Sequence, residues 1–188
     1  MGREIRSLFA ALLLTVPAVY PASVGAARPQ EAKKERSEAK YQERLVKEVR
    51  HHLVLLPWYS VFDNLEYKVE GDKVTLYGQV TRPTLKSDAE AAVKSIEGLA
   101  SVVNNIEVLP VSPMDDQLRR AVYRAIYGDA ALSRYSIQAV PSIHIIVKNG
   151  NVSLEGVVDN ETDKNLANLR ASGVPNVFSV KNNLVVAS

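Results

Sequence analysis

The feature of this sequence that most constrains its fold is an internal repeat with a constant spacing of 78 residues. Three pairs of segments align at that spacing: residues 65–69 with 143–147, 74–78 with 152–156, and 96–106 with 174–184. An internal repeat indicates that one structural unit occurs more than once, and each unit is then interpreted by itself. The sequence therefore predicts two tandem copies of one small module.

Each copy begins with a predicted amphipathic helix. In the first copy, apolar residues at helical spacing precede a helix end at Pro57, namely Tyr41, Leu45, Val49, Leu53 and Leu56. In the second copy the corresponding residues are Leu118, Val122, Tyr123 and Ile126, with Asp115 and Asp116 as capping candidates. The region between this helix and the next predicted strand is five residues longer in the second copy. Contacts made there should therefore differ between the modules.

A β-hairpin is predicted next, because apolar and polar residues alternate on both sides of a turn at Gly71-Asp72 or Asn149-Gly150. The connection from its second strand to a third strand should be right-handed, and the two strands should be parallel. The predicted fold class is α+β: two tandem α-β-β-α-β modules, each a three-stranded mixed sheet with two helices on one face.

The second helix and the closing strand complete each module. The helix is expected to start after Thr81 or Asp159, and in the second copy it should bury Leu166 and Leu169. The closing strand is predicted at residues 102–108 and 177–186. Asn176 stands where the first copy has Gly98, and asparagine tolerates the left-handed conformation, so the turn should be kept.

The amino terminus has the pattern of a signal peptide. Arg3 and Arg6 precede an apolar stretch at residues 7–20, and small residues follow, with cleavage predicted after Ala26 or, as an alternative, after Ala27. The apolar stretch is short for a membrane span, although an uncleaved anchor is the alternative. The predicted organisation is a signal peptide at 1–26, a charged leader at 27–40 that is solvated or extends the first helix, and modules at 41–110 and 114–188.

Charge and residue usage disfavour several classes of function. The formal net charge is only +2 with both signs interspersed, so a nucleic-acid partner is not expected. The absence of cysteine excludes disulfides, thiolate metal sites and a lipidated cysteine. His51 and His52 are adjacent rather than at metal-binding spacing, and no catalytic motif is evident. We therefore expect no enzyme activity, no metal and no cofactor.

The hairpin ends, V-T-L-Y-G at residues 74–78 and V-S-L-E-G at 152–156, together with the closing V-x-N-N-[IL] segments, resemble the BON domain. The resemblance covers residues 42–186. It implies a dual-BON, OsmY-like periplasmic or otherwise exported protein that interacts with phospholipid membranes in envelope maintenance or osmotic stress protection. It also implies the alternative of a chaperone or protein-interaction module.

Candidate lipid-binding residues are aromatic and basic side chains near the two first helices: Trp58, Tyr59, Arg119, Arg120, Tyr123, Arg124 and Tyr127. Tyrosine and tryptophan suit a membrane interface, and arginines are attracted to anionic headgroups. The expected partner is an anionic phospholipid surface or an envelope protein, and the processed protein should be peripheral to the membrane. The structural alternatives are that Trp58 fills the core beneath the helix end and that the arginines form an ordinary solvated face.

A protein partner would instead use the outer face of the sheets. That face is expected to carry Tyr77 and Lys68 in one copy and Ile146 and Val157 in the other. The most regular motif residues are interpreted as structural: Gly78, Gly156, Asn104, Asn105, Asn182 and Asn183.

Overall fold

A computed structural model describes residues 29–138 and 140–187 of the protein. The first module comprises α1 (Pro29–Val54), β1 (Asn64–Glu70), β2 (Lys73–Val80), α2 (Pro83–Lys94), β3 (Ser101–Asn104) and β4 (Glu107–Val108). The second comprises α3 (Pro113–Tyr127), a 3-10 turn (Ser133–Ser136), β5 (Ile143–Lys148), β6 (Asn151–Val158), α4 (Glu161–Ser172), β7 (Ser179–Asn182) and β8 (Val185–Val186). The predicted α+β fold with two tandem modules is confirmed. The predicted signal peptide lies outside the described residues.

The two sheets have the same topology. β1 and β2 form an antiparallel hairpin, and β3 and β4 both run parallel to β2. β5, β6, β7 and β8 repeat this arrangement. The predicted parallel pairing across the crossover is confirmed, but the predicted third strand is divided into two short pieces in each module.

Asn104 explains the division of the third strand. Its side-chain amide donates to the carbonyl of Lys86 on α2 over 2.9 Å, and its Oδ1 accepts the N–H of Ile106 over 3.1 Å. Asn182 contacts the backbone of α4 and the N–H of Leu184 in the same way. The asparagine thus ties the strand to the helix and turns the chain between the two strand pieces.

The other motif residues also have local roles. Asn183 donates to Glu155 over 2.6 Å, whereas Asn105 is exposed. Asn176 adopts a φ of 68° and Gly98 a φ of 94°. The expectation that asparagine could replace glycine in this left-handed turn is therefore confirmed.

Gly78 and Gly156 allow a close approach between the two hairpin strands. Their φ angles are 109° and 114°, and a Cβ atom at either position would lie 2.0 Å from a backbone oxygen, that of Asn64 or Ser142. No side chain fits there, so both glycines are structural requirements of the hairpin.

Helix ends differ in detail from the sequence expectations. α1 begins at Pro29, so the described part of the charged leader is helical, with its side chains at 33–40 exposed. Ser112, not an aspartate, caps α3, and buried Asp115 instead accepts the N–H groups of Asn149 and Gly150 in the hairpin turn. The Asp115 side chain thus binds the hairpin turn of the second module and does not cap α3.

The starts of the second helices also differ. Arg82 is the N-cap residue of α2 and makes no side-chain capping bond, and Asn160 caps α4 in place of Asp159. α4 buries Ala167 and Ala171, while Leu166 is half-buried and Leu169 is 66% exposed. The prediction that Leu169 is part of the core was wrong, because the buried stripe of α4 contains Asp163, Ala167 and Ala171, and Leu169 points away from that stripe.

The segment between α1 and β1, residues 55–63, contacts the second module and is called the joining segment here. Val61 is buried in the core of the second module, and its carbonyl accepts the N–H of Ile145 on β5 over 2.8 Å. Lys148 pairs with Glu107 across the modules over 2.6 Å. One segment of the first module therefore completes the core of the second.

Asp63 holds that joining segment in place. Its side chain is 1% exposed and accepts four hydrogen bonds, two from Ser60 and two from Thr81. Both carboxylate oxygens of Asp63 thus accept hydrogen bonds from nearby donors. Thr81 donates to Asp63 and does not cap α2.

Candidate functional site

α3 separates its three arginines between two environments. Arg119 is 5% exposed and donates to Asp116 over 2.5 Å and to the carbonyl of Val147 over 2.8 Å. Arg120 and Arg124 are exposed, and neither has an ion-pair partner among the described residues. Only these two arginines of the helix can meet a ligand at the surface.

Tyr127 is also buried, at 8% exposure, and its hydroxyl donates to the carbonyl of Ile143 over 2.6 Å. Burial raises the pKa of its phenol well above the usual range. Contrary to the sequence expectation, Tyr127 and Arg119 lie beneath the surface. Both long side chains extend to the edge of β5, a long-range contact that helical periodicity does not reveal.

Tyr123 links the exposed arginines to an aromatic cluster. Its ring lies 4.9 Å from that of Tyr127 and 6.2 Å from that of Phe62 of the first module. Val61, Phe62 and Tyr123 line a shallow, mainly apolar groove of about 450 Å³, bordered by Arg120 and Arg124. The surface therefore combines an apolar base with two cationic groups.

Trp58 lies at the surface and does not fill the core. It is 68% exposed, its φ is 71°, and the guanidinium of Arg82 lies 4.9 Å from its ring centroid. A positive φ is uncommon for a bulky residue and marks a position that the surrounding structure fixes. Leu55, three residues before Trp58, is 65% exposed. The segment that follows α1 thus presents two large apolar side chains to solvent.

Tyr59 has the opposite environment. Its ring stacks on that of His144, with 5.6 Å between centroids, and burial raises its pKa to about 12. Burial also lowers the pKa of His144, whose Nδ1 has no hydrogen-bond partner within residues 29–138 and 140–187. These two rings therefore pack between the modules rather than at an exposed surface.

The outer sheet face is only partly open. Tyr77 and Val157 are 39% and 48% exposed, and Lys68 is exposed, but Ile146 is only 5% exposed. Ile146 lies beside Leu109 and Gln79 of the first module. The expectation of an exposed apolar Ile146 is therefore wrong, because the contact between modules covers it.

The described residues contain neither a cluster of metal ligands nor a membrane-spanning helix. Within residues 29–138 and 140–187, no group of three or more possible ligands could hold a metal ion. In the same residues, no helix combines the length and apolar character that crossing a bilayer requires.

The family model described as BON domain matches residues 42–110 and 115–188. The chain belongs to the BON-domain family. The family resemblance and the predicted pair of domains are thus confirmed. BON domains are associated with membrane or envelope binding, and the family is generally non-enzymatic.

Two solved structures similar to this BON-domain protein are of the C-terminal domain of CdsD, a structural protein of the type III secretion system of Chlamydia trachomatis, and of CdsD itself. They are 13% and 15% identical in sequence, cover 77% of this chain and 98% and 94% of their own, and have TM-scores of 0.27 and 0.28. TM-scores this low do not establish a common overall fold. No curated protein matches the sequence.

Sequence reasoning missed three members of the surface of this BON-domain protein. Phe62 and Val61 belong by sequence to the first BON domain but lie against the second. Arg82 has no periodic pattern around it and contacts Trp58 only in the folded chain. The one available signal was the apolar Val61-Phe62 pair in a segment between predicted elements, where polar residues are more usual.

Proposed function

We propose that this protein is exported to the cell envelope and binds anionic phospholipid surfaces, with a role in envelope maintenance or osmotic stress protection. The observation that carries the proposal is the pair of exposed arginines, Arg120 and Arg124, beside the apolar groove of Phe62 and Tyr123. Such a surface offers charge to headgroups and apolar contact to the interfacial region.

Trp58 is proposed as a second contact. Its exposure and the neighbouring Arg82 give an amphipathic aromatic group beside a cation, which suits the headgroup layer. Because Arg119, Tyr127 and Tyr59 are used within the fold, they support the surface from beneath instead of touching lipid.

The test is sedimentation of the processed chain, residues 27–188, with neutral and with anionic vesicles at low and moderate salt. We expect binding to anionic vesicles that weakens with salt. Replacing Arg120 and Arg124 by serine should weaken it by roughly 30-fold, since each basic residue contributes about 1 kcal/mol.

The matched control replaces Lys73 and Lys181 by serine. Both lysines are exposed and lie away from α3, on β2 and β7, and their loss changes the net charge equally. This control should keep most of the binding. Equal losses in the two double variants would show that only net charge matters, and absence of binding to any vesicle would refute the lipid function.

A further inference from the structure

The outer edge of the hairpin in the second BON domain is closed by three hydrogen bonds. A two-residue turn at 149–150 fixes the alternation of the ladder, so that Ile143, Ile145 and Val147 direct their backbone groups away from β6. The carbonyls of Val147 and Ile143 accept from Arg119 and Tyr127, and the N–H of Ile145 donates to Val61. α3 and the joining segment thus cover this edge.

The same edge of the first BON domain is open around Tyr67. Because of the two-residue turn at 71–72, Leu65, Tyr67 and Val69 direct their backbone N–H and C=O groups away from β2, toward the free edge of β1. The N–H of Leu65 faces the hydroxyl of Tyr59. Within residues 29–138 and 140–187, no hydrogen bond engages the backbone N–H and C=O of Tyr67, the residue that corresponds to Ile145.

The difference follows from two substitutions between the first helices. Aligning Leu45 with Leu118 places Val46 opposite Arg119 and Val54 opposite Tyr127. Val46 and Val54 are 41% and 46% exposed. Valine has no side-chain donor, and among the described side chains of α1 none donates to the carbonyls of Leu65, Tyr67 or Val69, although Gln42 donates to the carbonyl of Gly71 in the turn. Two apolar side chains therefore lie beside this uncapped edge.

This edge is one wall of a crevice of about 720 Å³ between the domains. Leu53, Val54, Leu65 and Tyr67 belong to the wall formed by the first domain. The opposite wall, from the second domain, includes Pro141, Val157, Ser142 and His144. The Ser142 Oγ and His144 Nδ1 are buried and have no hydrogen-bond partner within the described part of the chain.

We propose that the β1 edge and this crevice bind an extended peptide segment of another polypeptide as an added strand, with aliphatic and aromatic side chains directed at α1. The second domain shows what such a site accepts, since residues 60–62 supply a backbone carbonyl and the apolar Val61 to its edge. Backbone pairing gives affinity in strand addition, and side-chain pockets give specificity.

The charges of the crevice favour a peptide over a lipid headgroup. Its walls contain one cation, Arg50, and one anion, Asp159, so they offer no net attraction to a phosphate. Unpaired strand edges are usually covered or blunted in folded proteins. β1 does carry the charged Glu66, Lys68 and Glu70, but they lie on the outer sheet face and leave the edge toward α1 apolar.

The test uses the processed chain and a fluorescein-labelled peptide with the sequence Tyr-Ser-Val-Phe-Asp-Asn, that of residues 59–64, within a panel of hexapeptides that alternate Val, Ile and Phe with polar residues. Binding is measured by fluorescence anisotropy. Introducing the caps of the second domain, as Val46→Arg with Val54→Tyr, should weaken binding at least tenfold. The control, Val103→Arg with Val185→Tyr, makes the same changes at exposed positions on β3 and β8, away from α1, and should bind normally.

Two further readouts address the strand itself. Peptides N-methylated at alternate residues should lose binding, because they lack the N–H groups that pair with β1. Amide exchange at Tyr67 should slow when peptide binds and should be faster than at Ile145 in the free protein. Failure of the whole panel to bind, or equal binding by the capped variant, would overturn the proposal. Vesicle binding is a separate measurement, so the lipid function can fail or hold independently.

Discussion

Gly78→Ala gives a direct test of the close approach within the first hairpin. The added Cβ would lie 2.0 Å from the oxygen of Asn64, a backbone atom that cannot move without distorting the strand. The φ of 109° adds strain of about 1–3 kcal/mol, and overpacking typically adds about 1–3 kcal/mol. We therefore expect a loss of about 4 kcal/mol in the free energy of unfolding of the first domain.

Gly71→Ala is the matched control, because its φ is also positive, at 64°, but no atom lies within 4 Å of the added Cβ. Its cost should be about 1–2 kcal/mol. Urea unfolding measures both, and with a slope of about 2 kcal/mol per molar the Gly78 variant should shift its midpoint by roughly 2 M. The fluorescence of Trp58, the single tryptophan, reports on the first domain. Equal midpoints for the two variants would refute the steric argument.

Two other predictions concern the joining segment. Asp63→Ala should lower the free energy of unfolding by about 3 kcal/mol, because it leaves the donors of Ser60 and Thr81 without an acceptor. The control Asp72→Ala, at an exposed position, should change it by less than about 0.5 kcal/mol. Urea unfolding midpoints compare the two variants. Burial lowers the pKa of His144 in the folded protein. The contribution of this histidine to the free energy of unfolding should therefore be fully present above the unfolded pKa of about 6.5, and it should be lost as pH drops through the folded value. Urea midpoints at pH 7.5 and 5.5 should differ less in His144→Phe, and an unchanged difference would contradict this assignment.

The fold was predictable because its evidence is local. The two-residue turns and the change from helical to alternating periodicity each act within a few residues, and the repeat shows that the same local signals occur twice. Together they predicted the order of elements and the parallel crossover correctly. The division of the third strand was missed because it depends on Asn104 reaching α2. That contact joins residues 18 positions apart.

The candidate surface was less predictable for the same physical reason. Arg119 and Arg120 are neighbours of identical chemistry, but successive helix residues point about 100° apart, so β5 buries Arg119 on its own side of α3 and leaves Arg120 exposed. Trp58 was open to two interpretations, because its backbone conformation and its contact with Arg82 follow from tertiary structure. Periodicity defines which face of a helix is apolar but not how far a long side chain reaches.

The insertion of Val61 into the core of the second domain has a consequence for how the protein can be divided and made. A fragment that starts at Ser112 keeps every strand and helix of that domain but lacks a residue of its interior, so it should be less stable alone than within the full chain. During synthesis, residues 60–62 leave the ribosome before any part of the second domain. The second domain therefore completes its interior on a segment that Asp63 of the first domain holds through Ser60 and Thr81.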